Sequence, residues 1–186
     1  MTFRRHGALS SLALPLKTHR LDIREIAPGD LSAVHACVSD PLVAKWFPWG
    51  PNTEAETRAF VERAVHAAAA PDREAFVLGV VIRGGDLIGV CFLDRNSDQE
   101  LEIGYYLRRD QWGQGFATEI VKAVVSFAFT ELGAQRVLAR VDPGNPASVR
   151  VVERAAFRLE RQEKRLIKGE SRESLVYVRL ADGCAV

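Results

Sequence analysis

Residues 99–119 constrain the chain more than any other stretch. Residues 101–107 form an apolar, aromatic run of strand character, Gly113 and Gly115 interrupt it, and from Ala117 apolar positions return at helical spacing. The order is strand, glycine turn, helix. A helix N-terminus presents N–H groups without intrahelical acceptors and a partial positive charge, and glycines let a ligand approach that backbone closely. The turn therefore reads as an anion site, with a pyrophosphate as the expected occupant.

The whole-chain charge does not compete with that local reading. Lys and Arg total 25 against 24 for Asp and Glu, so no basic field exists to hold nucleic acid or an anionic membrane. A length of 186 residues with 47% hydrophobic content fits one globular domain with a real core, expected over residues 16–186 after a loosely held tail at 1–15. Residues 8–16 after Arg4 and Arg5 imitate a signal peptide, but Ser10, Ser11 and Pro15 interrupt the run and patterned sequence follows directly. No apolar run approaches the roughly 20 residues of a spanning helix. Cys37, Cys91 and Cys184 are widely spaced without a Cys-x-x-Cys pair, and the four histidines lack metal-ligand spacing, so neither a disulfide framework nor a metal site is expected and a reducing cytoplasm is the natural location.

Around the glycine turn the pattern lays out an α+β chain. A first strand is expected over 16–26, then a short helix capped by Asp30 and stopped at Asp40-Pro41. Residues 45–51 hold Trp46, Phe47 and Trp49 together with Pro48 and Pro51 and read either as a loop pinning its aromatics on the core or as a wall of an acceptor pocket. Thr53 and Glu56 have capping-box spacing for a helix through Ala68 that Pro71 would end. Residues 76–82 and 87–93 flank Arg83-Gly84-Gly85-Asp86 as a hairpin, and the 101–107 strand continues the meander. A helix over 117–132 with Gly133 as a left-handed C-cap leads to a strand over 136–142, which makes a βαβ unit with parallel strands. Asn145 caps a helix with Pro146 at its first position, and strands at 157–167 and 174–180 close the chain around Lys168-Gly169-Glu170.

Two segments carry a resemblance. Glu102-Ile103-Gly104-Tyr105, Trp112 and the run from Gly113 to Ala117 resemble the acetyl-CoA-binding motif of the GNAT acyltransferases, in particular the RimJ/RimL-like branch. Asn145-Pro-Ala-Ser148 leading through a helix to Ala156-Phe157 resembles that family's second signature, in the right order and on the right elements. The resemblance covers about residues 16–180. It implies a GNAT-like fold: a mixed, mostly antiparallel sheet of six to seven strands with about four helices. The activity it implies is transfer of an acetyl group from acetyl-CoA to a primary amine, most naturally a peptide N-terminal α-amine, with polyamines, aminoglycosides and amino-acid-like antibiotics as alternative acceptors. A non-catalytic acyl-CoA sensor and a homodimer are further readings. The chain departs from the family at three positions: Asp110 precedes the turn where Gln or Arg is common, Ala156 replaces a glycine, and Val152 stands where many relatives have the tyrosine that protonates the departing thiolate.

Residue roles follow as expectations. The cofactor falls to Leu107, Arg108, Arg109, Gln111, Trp112, Gly113, Gln114, Gly115, Phe116, Ala117 and Thr118, with Asn145 on the pantetheine arm. Glu102 is the expected general base, with Glu100 on the same strand face as runner-up, and Ser148 is the expected proton source for the thiolate. Trp46, Phe47, Trp49, Glu100 and Tyr105 are expected to line the acceptor pocket, and Glu54, Glu56, Asp98, Glu100 and Glu102 offer an acidic mouth for an amine.

Overall fold

The structure, a computed structural model, describes residues 13–70 and 73–183. Among these, eight strands form one sheet: β1 (Leu16–Lys17), β2 (Leu21–Glu25), β3 (Ala75–Ile82), β4 (Leu87–Arg95), β5 (Glu100–Leu107), β6 (Arg136–Val141), β7 (Arg158–Ile167) and β8 (Glu170–Leu180). Their order is β1-β2-β3-β4-β5-β6-β8-β7, antiparallel throughout except for the β5–β6 pair. The helices are α1 (Leu31–Val38), α2 (Pro41–Ala44), α3 (Glu54–Ala68), α4 (Phe116–Thr130) and α5 (Pro146–Arg154).

Strand alternation sends two apolar sets to opposite faces. On one face Leu21, Ile23, Leu78, Leu93, Leu101, Ile103 and Val137 pack under α4 and α5, where Ile120, Val121, Val124 and Val152 are buried. On the other, Val90 and Tyr106 pack under α1 and α3, which bury Val34, Cys37, Val38, Val61 and Ala64. Each such aliphatic side chain stabilises the fold by about 1.5–3 kcal/mol on burial. The local stop signals act as expected: Thr53 and Glu56 close a capping box on α3, Gly133 has φ +68° after α4, and Lys168 and Gly169 form a two-residue hairpin turn with φ +52° and +81°.

The structure also corrects the sequence reading. The sheet has eight strands rather than six or seven because the first strand breaks at a turn in which the Thr18 N–H donates to the Leu21 carbonyl at 2.9 Å. A fifth helix, α2, begins where Asp40-Pro41 reads as a stop: the Asp40 carboxylate accepts from the Leu42 N–H at 2.8 Å, and a four-residue helix leaves no periodicity to detect. Asp30 does not cap α1. Its carboxylate takes both Arg24 Nη atoms, at 2.7 and 2.8 Å, and the Ala27 N–H at 2.7 Å. Of the expected tail, residues 1–12 lie outside the described residues, as do Pro71 and Cys184; Leu14 packs on the core.

Candidate active site

β5 and β6 pair through only three residues, Glu100 with Arg136, Leu101 with Val137 and Glu102 with Leu138. Beyond that point they separate, and the sheet opens into a cavity of about 300 Å³ lined by Ile103 to Leu107 on one side and Ala139 to Asp142 on the other. An opening between parallel strands leaves backbone N–H and C=O groups facing the gap, suited to an extended, amide-rich ligand.

One end of the cavity is the glycine turn. Gly113 and Gly115 have φ +76° and +83°, the left-handed region that glycine occupies without strain. A Cβ on Gly113 would meet nothing within 4 Å, so the space above it is open. The N–H groups from Gly113 to Thr118 find no acceptor among the described residues, and the first helical bond runs from the Glu119 N–H to the Gly115 carbonyl at 3.2 Å. Unpaired donors at the positive end of α4 form an anion cradle. Gln111, Trp112, Gly113, Gly115, Phe116, Ala117 and Thr118 line the cavity with Leu107. Trp112 closes the end of β5 by donating its indole N–H to the Leu107 carbonyl at 2.9 Å.

The turn is fastened from behind by residues that no sequence motif singles out. Arg20 donates from Nη1 to the Gln114 carbonyl at 2.9 Å and from Nε to Glu119 at 2.8 Å, and its guanidinium lies 4.2 Å from the centre of the Phe116 ring. Glu119 also accepts from the Thr18 hydroxyl at 2.6 Å and the Arg20 N–H at 2.9 Å. Burial alone would raise the Glu119 carboxyl; the Thr18 hydroxyl and the Arg20 donors outweigh it and hold the group below its ordinary value. These partners lie about a hundred residues away in sequence, so no spacing pattern joins them.

Asn145 caps α5, its side-chain oxygen accepting from the Ser148 N–H at 3.2 Å, and both residues line the cavity. Across the gap Tyr105 donates its hydroxyl proton to Ser148 Oγ at 3.2 Å. Burial pushes the Tyr105 hydroxyl up to about 12, a shift the Ser148 bond partly offsets. Val152 is buried in the wall nearby and brings no proton.

The other face of the opening is aromatic. Val43, Trp46, Phe47 and Tyr106 line it together with Arg140 and Asp142, which alternate along β6 and the residue after it with the core-facing Ala139 and Val141. Asp142 is the sole carboxylate in the described lining; its Oδ1 accepts from the Gly144 N–H at 2.8 Å. The same loop abuts Trp46, whose ring atoms lie 3.5 and 3.7 Å from where a Gly144 Cβ would stand.

Several expected site residues stand elsewhere. Trp49 does not line the cavity; it stacks on Phe47 with ring centres 4.6 Å apart and packs edge-on against Tyr106, supporting the wall from behind. Glu102 is ion-paired with Arg140, and Glu100 with Arg136, and neither lines the opening. They belong to a ladder in which Glu163 also binds Arg140 at 2.7 Å and Glu160 binds Arg136 at 2.8 Å. Glu54 pairs with Arg58 and Glu56 is spent on its capping box, so the acidic mouth does not assemble. Arg108 is held by Asp110 at 2.7 Å, and the exposed Arg109 lies 3.8 Å from Asp40. The Gln114 side chain turns away to the Asp110 carbonyl at 3.1 Å, leaving its backbone at the turn.

Comparison with known proteins gives this geometry its family. The model of the acetyltransferase (GNAT) domain matches residues 20–158. The Bacillus licheniformis protein named Uncharacterized N-acetyltransferase p20 is 31% identical over 149 residues, 78% of this chain and 83% of its own. An acetyltransferase of the GNAT family from Bacillus anthracis superposes with a TM-score of 0.80 at 28% identity, over 89% of this chain and 97% of that one. RimL, a ribosomal L7/L12 alpha-N-protein acetyltransferase solved with coenzyme A, shares the fold at a TM-score of 0.77 and 20% identity, over 90% of this chain and 97% of its own. The chain belongs to the GNAT acetyltransferases and uses acetyl-CoA as its acetyl donor.

Proposed function

We propose that this acetyltransferase modifies a primary amine, with a peptide N-terminal α-amine as the preferred acceptor, and that the two faces of the β5–β6 opening divide the work. The observation that carries the reading is the opening itself: an anion cradle under α4 on one face and an aromatic, single-carboxylate mouth on the other meet where the strands part. The likeness in fold to an alpha-N-protein acetyltransferase supports the peptide acceptor.

Bound acetyl-CoA supplies the acetyl thioester that the amine attacks, with CoA leaving as the thiolate. The N–H row from Gly113 to Thr118 holds the pyrophosphate, each charge-assisted bond contributing about 1.5–3 kcal/mol. Asn145 and the unpaired edges of β5 and β6 align the pantetheine amides. Ser148, in the cavity lining, is the side chain that would donate to the departing sulfur. Tyr105, a donor at every physiological pH, occupies an Oγ lone pair of Ser148 and so leaves the serine's own proton available to the cavity. Ser148 thereby stabilises the thiolate through a hydrogen bond rather than by acting as a strong acid. On the acceptor side Asp142, and not the arginine-bound Glu102, meets the incoming ammonium.

The test is CoA release from acetyl-CoA over peptides with free N-termini, polyamines, aminoglycosides and free amino acids. Turnover on unblocked peptides and none on N-terminally blocked copies is expected. Release only with small polycations would overturn the peptide reading, and none with any amine would overturn the enzyme's assignment to amines.

A further inference from the structure

β7 is exposed or half-exposed from Arg158 to Leu166 and is buried only at its last residue, Ile167. Just beyond it the β7–β8 hairpin reaches the C-terminus of α2. Lys168 Nζ donates to the Ala44 carbonyl at 3.1 Å, across 124 positions of sequence, and Arg172 Nη1 donates to the Lys45 carbonyl at 3.4 Å. Carbonyls at a helix C-terminus lack intrahelical donors and carry partial negative charge, so cations are suited to hold them. The Ala44 carbonyl also accepts from the Phe47 N–H at 3.3 Å, and Lys45 Nζ lies 4.5 Å from the centre of the Trp46 ring. Both bonds from the hairpin therefore end on the backbone that sets Trp46 and Phe47 into the aromatic face of the opening.

Lys168 is poorly matched to its own place in the turn. Ile167 pairs with Glu170, so Lys168 and Gly169 are the two central residues, both at positive φ. Such a turn favours Asn-Gly, because a long side chain gains nothing from the left-handed conformation that its Cβ strains. What lysine adds at this position is reach, and what it reaches is α2. We propose that Lys168 and Arg172 are positioning residues that fix the aromatic wall of the acceptor pocket, Lys168 at the expense of the turn's own stability. Neither lines the opening; they act through Ala44, Lys45 and the rings that follow. The inference rests on the aromatic face being the acceptor side. The donor cradle on α4 is fastened separately, by Arg20 and Glu119.

The test varies acetyl-CoA and an unblocked peptide separately in steady-state kinetics of the full-chain wild type, Lys168→Asn and Lys168→Arg, with thermal unfolding and hydrogen exchange on all three. In Lys168→Asn the turn is relieved, so Tm is expected not to fall, while KM for the peptide rises about fivefold and KM for acetyl-CoA changes less than about twofold. Lys168→Arg keeps a cation of similar reach and is expected to hold the peptide KM within about twofold of the wild type. Exchange of the Phe47 amide, which the Ala44 carbonyl holds, is expected to quicken in Lys168→Asn and not in Lys168→Arg. An unchanged peptide KM in Lys168→Asn, or equal rises in both KM values, would overturn the positioning role; a fall in Tm with both KM values unchanged would make Lys168 a purely structural residue. A wild type that turns over no peptide would instead remove the acceptor reading, and the Phe47 amide would then decide the clamp alone, unchanged exchange overturning it.

Discussion

Ala156 shows how a single residue departs from the family pattern at a measurable cost. Its φ of +62° is a left-handed conformation in which a Cβ costs about 1–2 kcal/mol, and it stands where a glycine is usual. Ala156→Gly removes that strain against an entropic loss of about 0.5–1 kcal/mol, so a net gain of about 0.5–1 kcal/mol and a raised Tm are expected in thermal unfolding. A lower Tm would mean the Ala156 methyl contributes more to packing than its strain costs. At Ser148 the prediction concerns rate. Ser148→Ala should reduce kcat about tenfold, equivalent to ~1.4 kcal/mol of transition-state stabilisation, with little change in KM for acetyl-CoA. Tyr105→Phe leaves Ser148 in place but frees its proton to turn elsewhere, and a smaller loss, about three- to fivefold, should follow. If Tyr105→Phe had no effect on kcat, Ser148 would act without orientation from β5. Asp142→Asn should lower kcat/KM for the amine about tenfold, whereas Glu102→Gln should leave the pH profile of kcat/KM unchanged and show itself mainly as a stability loss of about 0.5–1 kcal/mol, since Arg140 keeps Glu163 as its remaining carboxylate. A pH profile altered by Glu102→Gln alone would return the base to β5.

At the scale of elements, the glycine turn depends on a latch between the first strand pair and the first turn of α4. Thr18, Arg20 and Glu119 hold the two together, and Arg20 reaches on to the Gln114 carbonyl inside the turn. The sign of its pH dependence follows from Glu119, whose carboxyl lies below its ordinary value in the folded chain. A carboxyl depressed by folding stabilises fully above its unfolded pKa, near 4.3, and loses that contribution as the pH falls through the lower folded value. Glu119→Gln is therefore expected to cost about 1–2 kcal/mol at neutral pH, to weaken acetyl-CoA binding severalfold, and to flatten the acid limb of the stability curve below about pH 4. An acid limb identical to that of the wild type would place the loss on other carboxylates, such as Asp30, which Arg24 also holds below its usual range.

For the whole molecule, what could be read in advance was whatever is encoded locally. The strand, glycine turn and helix at 101–132, the capping box at Thr53, the Asn145-Pro146 start of α5 and the Lys168-Gly169 turn each depend on residues a few positions apart, and each is present. Contacts between distant segments were not legible. Glu102 has the composition of a base on a strand, but its partner Arg140 sits 38 residues on, and only the folded sheet shows the pair. Asp142 was concealed in an Asp-Pro-Gly turn signal, and Trp49 could not be told from Trp46 until the loop's stacking was visible. The length of β5–β6 pairing, on which the cavity depends, leaves no mark in a pattern of alternating residues. The most direct check on the placement of acetyl-CoA is calorimetric titration of the cofactor into the wild type and Gly113→Val, with circular dichroism on both. The introduced isopropyl group would project into open space over the cradle, so the wild type should bind and the variant, still folded, should not. Equal affinity in the two proteins would contradict the seating of acetyl-CoA on the α4 turn.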